Sequence, residues 1–103
     1  MATRVGGSGN YVVETTHTIG ATASKVLDRE KNRAGYRVLA DDDNAQDIYH
    51  GHNSRVTNAS LDVIQPGGRL TDEGAWDTIY RGEVWLISNA ANQNVIVQEI
   101  IRG

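Results

Sequence analysis

The amino-acid sequence predicts an all-β protein, a small antiparallel sandwich or barrel of about seven or eight short strands. Short runs of β-branched, aromatic and aliphatic residues recur along the chain, and clusters of Asn, Asp, Gly and Pro separate them about every ten residues. Only residues 21–27 admit a helical turn as well as a strand. The two runs nearest the C-terminus, residues 83–88 and 95–101, are the clearest strands.

The N-terminal part of the chain divides into an arm and the start of one domain. Residues 1–10 are rich in Gly and Ser and predict an extended arm, in which Arg4 and Val5 are candidates for binding a partner. Residues 11–103 predict a single β-sandwich domain that opens with a strand over residues 11–19. Residues 21–27 continue as a strand or a helical turn, and the β-rich surroundings favour the strand. A charged loop is expected over residues 28–35.

Residues 32–51 carry the strongest local pattern, which predicts a β-hairpin. A strand over residues 36–40 and a second strand over residues 47–50 flank a polar stretch, residues 41–46, that has no apolar residue larger than alanine. Asn, Asp and Gly at the boundaries of such runs favour tight turns.

The second half of the chain continues in the same style. A short strand is predicted over residues 61–65, and it ends where proline fixes φ and glycine permits positive φ, at Pro66-Gly67-Gly68. A polar loop is predicted over residues 71–75 and a further strand over residues 76–80.

The two C-terminal strands are apolar on both faces, which predicts a contact surface with another chain. In residues 83–88 and 95–101, apolar side chains occupy both sets of alternating positions, whereas a sheet with one solvated face should alternate cleanly. A domain of this size cannot cover many strands twice. We therefore expect a homo-oligomer, specifically a homotrimer, and the candidate interface residues are Trp85, Ile87, Ile96 and Ile100.

The composition excludes several classes of partner and site. The net charge of −3 does not provide the basic face of a nucleic-acid-binding protein. The absence of cysteine excludes a disulfide framework and a thiolate metal site. No apolar run reaches the ~18 residues of a membrane span, and the first residues lack the apolar segment of a signal peptide. We expect neither a nucleic acid nor a membrane as partner, and synthesis in a cytoplasm.

His50 and His52 are the first candidates for a metal site, because residues two apart on a strand share a face. A cupin metal site starts in this way. However, no Glu follows His52 closely, and the third histidine, His17, lies upstream. We therefore expect a surface pair whose double replacement changes stability by no more than about 0.5 kcal/mol. No metal site, cofactor or catalytic residue is predicted.

Two acidic clusters are further candidates. Oxygen ligands for calcium stand close together at Asp41, Asp42, Asp43, Asn44 and Asp47, but the Gly and Glu positions of an EF-hand loop are not filled, so a solvated turn is expected. Carboxylates near an aromatic ring that could stack on a sugar stand at Asp72, Glu73 and Asp77, beside Trp76. This second set is unspecific.

The order of these segments resembles a layout that recurs in small virion proteins of tailed bacteriophages. The segments that carry the resemblance are Asn32-Arg33, the polar acidic turn, Asp47-Ile48-Tyr49 with Gly51, Pro66-Gly67-Gly68, and the strands at residues 83–88 and 95–99. The resemblance covers roughly residues 11–101. It implies a jelly-roll-like domain that oligomerises, often as a trimer, and binds a larger protein lattice without enzymatic activity.

From this resemblance we expect a capsid decoration, or cement, protein. Its partners would be the major capsid protein or another virion protein, and its location the capsid surface. Two other functions stay open from the sequence: a carbohydrate- or receptor-binding module of a phage tail or baseplate, and a small cupin-like enzyme.

Overall fold

The computed structural model describes residues 2–4 and 10–103, and these residues form an all-β sandwich. The described part of the chain contains nine strands and one short 3-10 turn. The strands are β1 (Ala2–Arg4), β2 (Tyr11–Ile19), β3 (Ser24–Leu27), β4 (Arg33–Ala40), β5 (Ile48–Gly51), β6 (Asp62–Ile64), β7 (Arg69–Glu73), β8 (Val84–Ser88) and β9 (Gln93–Ile101). Within residues 21–27, where a strand or a helical turn was open, the strand is correct for Ser24–Leu27, and residues 21–23 lie in neither a strand nor a helix.

The strands form two antiparallel sheets with the order of a jelly roll. The first sheet has the order β1-β2-β9-β4-β7, and the second has the order β3-β8-β5-β6. The pairs β2·β9, β3·β8, β4·β7 and β5·β6 are nested within one another along the chain. Successive nested pairs alternate between the sheets, which is how one long folded ribbon wraps into an eight-stranded jelly roll. The predicted fold class is confirmed.

The predicted hairpin at residues 32–51 is wrong, although both of its strands exist. β4 lies in the first sheet and β5 in the second, so the acidic stretch crosses from one sheet to the other. Side chains of β9 hold this crossing in place. The side-chain nitrogen of Asn44 donates to the backbone carbonyl of Asn94, and its side-chain oxygen accepts from the N–H of Asn94. The Gln93 side-chain oxygen accepts from the N–H groups of Ala45 and Gln46. These partners are remote in sequence, so no local sequence pattern predicts the contacts.

The assignments around residue 75 also need correction. Residues 71–73 belong to the edge strand β7 rather than to a loop, because they pair with β4 despite their polarity. Polar residues are common on edge strands, where they discourage aggregation. Residues 76–78 form a 3-10 turn instead of a strand, and the hydroxyl and N–H of Thr78 both donate to the Ala75 carbonyl.

The core lies between the two sheets and follows the period-2 alternation of the strands. Its fully buried aliphatic side chains include Ile19, Val38, Ile48, Val84, Leu86 and Val97. Every buried side-chain nitrogen or oxygen of the described residues has a hydrogen-bond partner. Within those residues, no helix is long and apolar enough to cross a membrane.

Candidate functional site

The four predicted interface residues lie on two opposite outer faces of the sandwich. Trp85 and Ile87 alternate with buried residues of β8 and project outward from the second sheet. Ile96 and Ile100 alternate with residues of β9 that face the core, and they project outward from the first sheet. The four side chains therefore do not form one continuous patch.

This placement constrains the expected trimer. In a closed ring, each subunit uses two surfaces that are inclined to one another, whereas surfaces that face in opposite directions generate an open stack. A ring of three can use one of the two residue pairs together with some other surface, but not both pairs. The trimer stays a prediction, and the native mass of the purified protein tests it.

The arm residues are described only in part. β1 pairs antiparallel with the start of β2, with Arg4 opposite Tyr11, so this piece of the arm is an edge strand on its own domain. The side chain of Arg4, and Val5 as a whole, lie outside the described residues. Their predicted role in binding stays a prediction.

The outer face of the second sheet carries several apolar side chains at paired outward positions. Tyr49 of β5 pairs with Ile87 of β8 on one side and with Val63 of β6 on the other, and Trp85 is next in the outward row of β8. We call these four side chains, together with Leu61 at the margin, the aromatic face. Val63 is 44% exposed and Leu61 is 96% exposed. The sequence identified Trp85 and Ile87 as interface residues and Tyr49 as a core or interface residue, but it missed Val63 and Leu61, because their proximity to the others depends on the strand order.

The loop after β5 covers one end of the aromatic face. A Cβ atom on Gly51 would lie 2.7 Å from the Cβ of Val56, so the side chain of Val56 occupies the space that a residue other than glycine would fill. Val56 is 8% exposed although it lies in a polar loop. Gly51 stands opposite Trp85 in the sheet. The loop is thus anchored to the outer surface beside the indole ring.

The outer face of the first sheet carries a polar ladder across four strands. The side chain of Gln98 accepts from Arg37 at 3.3 Å and donates to Glu14 at 2.8 Å. Arg37 also forms an ion pair with Glu73 at 2.6 Å, and both side chains are more than one third exposed. Such exposed pairs contribute little to stability, about 0–1 kcal/mol. They keep the middle of this face polar.

Beyond the ladder, a groove of about 560 Å³ opens on the same outer face. Leu39 and Ile96, paired across β4 and β9, contribute its aliphatic side chains. The other residues that line it are Thr16, His17, Thr18, Ala40, Asp41, Asp42, Asn94 and Val95. The lining thus combines two carboxylates, two outward hydroxyls and an aliphatic patch, and includes no Lys or Arg.

Residues 41–47, which cross from β4 to β5 and which we call the acidic crossing, lie at the rim of this groove and include the candidate calcium ligands. The carboxylates of Asp41, Asp42 and Asp43 approach within 4.8 Å of one another, and all three residues are exposed. The Asp41 side chain accepts a hydrogen bond from the N–H of Asp43 at 2.9 Å. This local contact is typical of an Asx turn. The three carboxylates are close enough together to hold a cation, but exposed acidic groups are common without one, and the solvated turn stays a prediction.

The expectation of a surface pair is wrong for His50, which belongs to a buried polar cluster, whereas His52 is exposed. His50 is 3% exposed because its side chain faces the core from β5. Its Nε2 lies 2.9 Å from the hydroxyl of Tyr36, and its Nδ1 lies 3.4 Å from a carboxylate oxygen of Asp62. The ring of His52 stacks on Tyr80 with centroids 3.7 Å apart. Both ring nitrogens of His50 are therefore engaged by neighbouring side chains.

Stability should fall in acid because of His50. Burial lowers the pKa of His50 below its ordinary value of 6.5, although a hydrogen bond to Asp62 opposes the effect. The folded state therefore favours the neutral ring. The contribution of His50 to the free energy of unfolding is complete above pH 6.5, the ordinary pKa, and is lost as the pH falls towards the lower pKa of the folded state. Burial also lowers the pKa of His17, which acts in the same sense, whereas burial raises the pKa of Glu99, which acts in the opposite sense.

Urea unfolding at a series of pH values measures this effect. Below pH 6.5, we expect the free energy of unfolding to fall by up to about 1.4 kcal/mol per pH unit for each of the two histidines with a lowered pKa, His50 and His17. The His50→Gln variant is the control, since glutamine does not titrate and its slope should be smaller. Equal slopes in the two proteins would contradict the prediction.

Arg33 is a buried cation that links four segments of the chain. Its side chain has 0% exposure and forms a 2.8 Å ion pair with Glu99, whose side chain is 13% exposed. The guanidinium also donates to the carbonyl oxygens of Asp28, Tyr80 and Gly82. Burial raises the pKa of Glu99, and Arg33 opposes that rise. The sequence did not single out this residue for any role.

The Trp76 ring, a candidate surface for sugar stacking, is already in contact with two cations. The guanidinium carbons of Arg81 and Arg102 lie 4.0 and 4.3 Å from the centre of the indole. Asp72 points elsewhere and accepts a hydrogen bond from the N–H of Tyr80 at 3.0 Å. Asp72 bonds to Tyr80 and Glu73 pairs with Arg37, so these two carboxylates are engaged away from the indole.

Comparisons with protein-family models, with curated proteins and with solved structures found no match. Function therefore has to be inferred from the chemistry and placement of the surfaces described above. Of these, the aromatic face and the acidic groove are suited to binding, whereas the His50 cluster and Arg33 are engaged in internal contacts.

Proposed function

We propose that this protein is a structural component of a bacteriophage virion, a capsid decoration protein that binds and stabilises the head lattice. The layout of strands and turns that resembles small phage virion proteins supports the proposal. The eight-stranded jelly roll is in keeping with it, because viral capsid proteins use this architecture. Lectins and cupins use it too, so the fold alone does not decide the function.

The aromatic face is the observation that carries the proposal. Three neighbouring strands present Trp, Ile, Tyr and Val at outward positions where a solvated sheet would present polar residues. Contiguous exposed apolar surface marks sites of protein contact, and aromatic residues are enriched in the centres of interfaces. We infer that the aromatic face is the surface that the capsid protein covers.

Many copies bound to a lattice can stabilise it strongly even when each binding site is weak. Burial of apolar surface contributes about 25 cal/mol per Å². A protein that binds only the assembled shell stabilises that shell by mass action, and repeated sites add across the lattice. The arm would add contacts through Arg4 and Val5, as the sequence predicts.

Capsids that lack this protein provide the test, through the temperature at which they rupture. Added protein is expected to bind and raise that temperature. Ile87→Thr, on the aromatic face, should weaken the protection, whereas Ile100→Thr, the same change on the opposite face, should not. A protein without residues 1–9 should bind more weakly but remain folded.

Three results would count against the proposal or part of it. If the full-length protein neither binds nor protects, the decoration function fails. If Ile100→Thr is the harmful change, the aromatic face is the wrong surface. If simple sugars quench the fluorescence of Trp85 and block binding, the protein is a carbohydrate-binding module instead.

A further inference from the structure

The acidic groove on the first sheet has the features of a second binding site, on the side of the molecule opposite the aromatic face. Its lining combines Asp41 and Asp42, both exposed, with Leu39 and the 39% exposed Ile96. A cationic side chain would meet the carboxylates, and a neighbouring aliphatic side chain would cover the Leu39–Ile96 pair. Charge complementarity of this kind favours one class of partner over others.

The groove runs across three neighbouring strands of the first sheet. Thr16 and Thr18 of β2 line one side, Asn94 and Ile96 of β9 form its middle, and Leu39 and Ala40 of β4 line the side next to Asp41 and Asp42. Neighbouring strands lie about 4.8 Å apart, so the groove is wide enough for a short extended segment that lies across the sheet.

The rim of the groove is held in place before any partner arrives. The Asn44–Asn94 pair fixes the acidic crossing to β9, and the N–H of Asp41 donates to the carbonyl of Asn94 at 3.0 Å. The hydroxyl of Thr18 donates to the side chain of Asn94 at 3.2 Å. A rim that needs no reordering lowers the entropic cost of binding.

We propose that this groove binds an extended segment of a partner protein in which a Lys or Arg stands next to small aliphatic residues. The segment lies in the groove across β2, β9 and β4, and its cation contacts Asp41 and Asp42. With the aromatic face on the capsid, the groove would face away from it, and the protein would connect the shell to a second component. Peptide binding to the groove is measured on the isolated protein without capsids, so its failure and the failure of capsid binding are distinguishable.

Two model peptides test the proposal by NMR titration of the full-length protein. The basic peptide is acetyl-Gly-Val-Arg-Val-Gly-amide, and its acidic counterpart carries Glu in place of Arg. The basic peptide should shift the amide signals of Thr16, Thr18, Asn94 and Ile96, and the acidic peptide should not. Binding should weaken in about 1 M salt, where the Debye length is about 3 Å.

Matched variants separate the groove from general charge. The double variant Asp41→Asn with Asp42→Asn should weaken binding by about threefold or more. Asparagine keeps the side-chain oxygen that accepts from Asp43. Asp43→Asn, which removes one negative charge from the same loop but outside the groove lining, should have a smaller effect than Asp41→Asn or Asp42→Asn alone.

The proposal fails if the two peptides shift the same signals equally, if the shifts map to residues outside the groove, or if Asp43→Asn weakens binding as much as Asp41→Asn or Asp42→Asn alone. A lack of any shift at the highest soluble concentration of the basic peptide would also overturn it.

Discussion

Replacing Arg33 with methionine is expected to destabilise the fold by about 3–5 kcal/mol, the usual result of removing one partner of a buried ion pair. The change leaves the carboxylate of Glu99 without its cation in a site that is 13% exposed. It also removes the donor to the carbonyls of Asp28, Tyr80 and Gly82. Native domains have only about 5–15 kcal/mol of stability in total, so this variant should unfold at much lower urea.

The matched control for Arg33 is Arg37→Met, on the outer face of the same strand. Arg37 also forms an ion pair, with Glu73, but its side chain is 39% exposed. Loss of this pair should change the free energy of unfolding by no more than about 1 kcal/mol. Urea unfolding followed by circular dichroism measures both variants. Comparable losses in the two would show that burial of Arg33 is not what matters.

The second large expected effect is on stability, in a comparison of Leu86→Ala with Leu61→Ala. Leu86 has 0% exposure at the centre of the core, and its truncation should cost about 2–5 kcal/mol through lost burial and the cavity that remains. Leu61 is 96% exposed, so the same truncation should change stability by less than about 0.5 kcal/mol.

The two leucine variants also separate folding from binding. Leu61→Ala should keep the urea midpoint of the parent protein, and if the aromatic face binds capsids it should weaken their attachment. Leu86→Ala should lower the midpoint strongly. A strong loss of stability in Leu61→Ala would mean that this side chain packs within the domain, which would remove it from the aromatic face.

Local sequence pattern was sufficient for most of the strands, except at residues 71–78, and for which side chains of a strand share a face. The alternation at residues 83–88 and 95–101 identified Leu86 and Val97 as facing opposite to Trp85 and Ile96, and their burial agrees. Turn chemistry at Pro66-Gly67-Gly68 was also correct, since Gly67 has a φ of 78° that favours glycine. These features depend on neighbours in the chain, so the sequence by itself determines them.

Only the tertiary structure decided which strands share a sheet. β4 and β5 are neighbours in sequence but belong to opposite sheets, and the same is true of β8 and β9. The side chains that fix these crossings, such as Asn94 and Gln93, bond to residues more than forty positions away. That partition also places Arg33 and His50 inside the sandwich, and Leu61 and Val63 on its surface. Pairing across the sandwich depends on the packing of remote segments, whereas the sequence pattern records only the period of each strand.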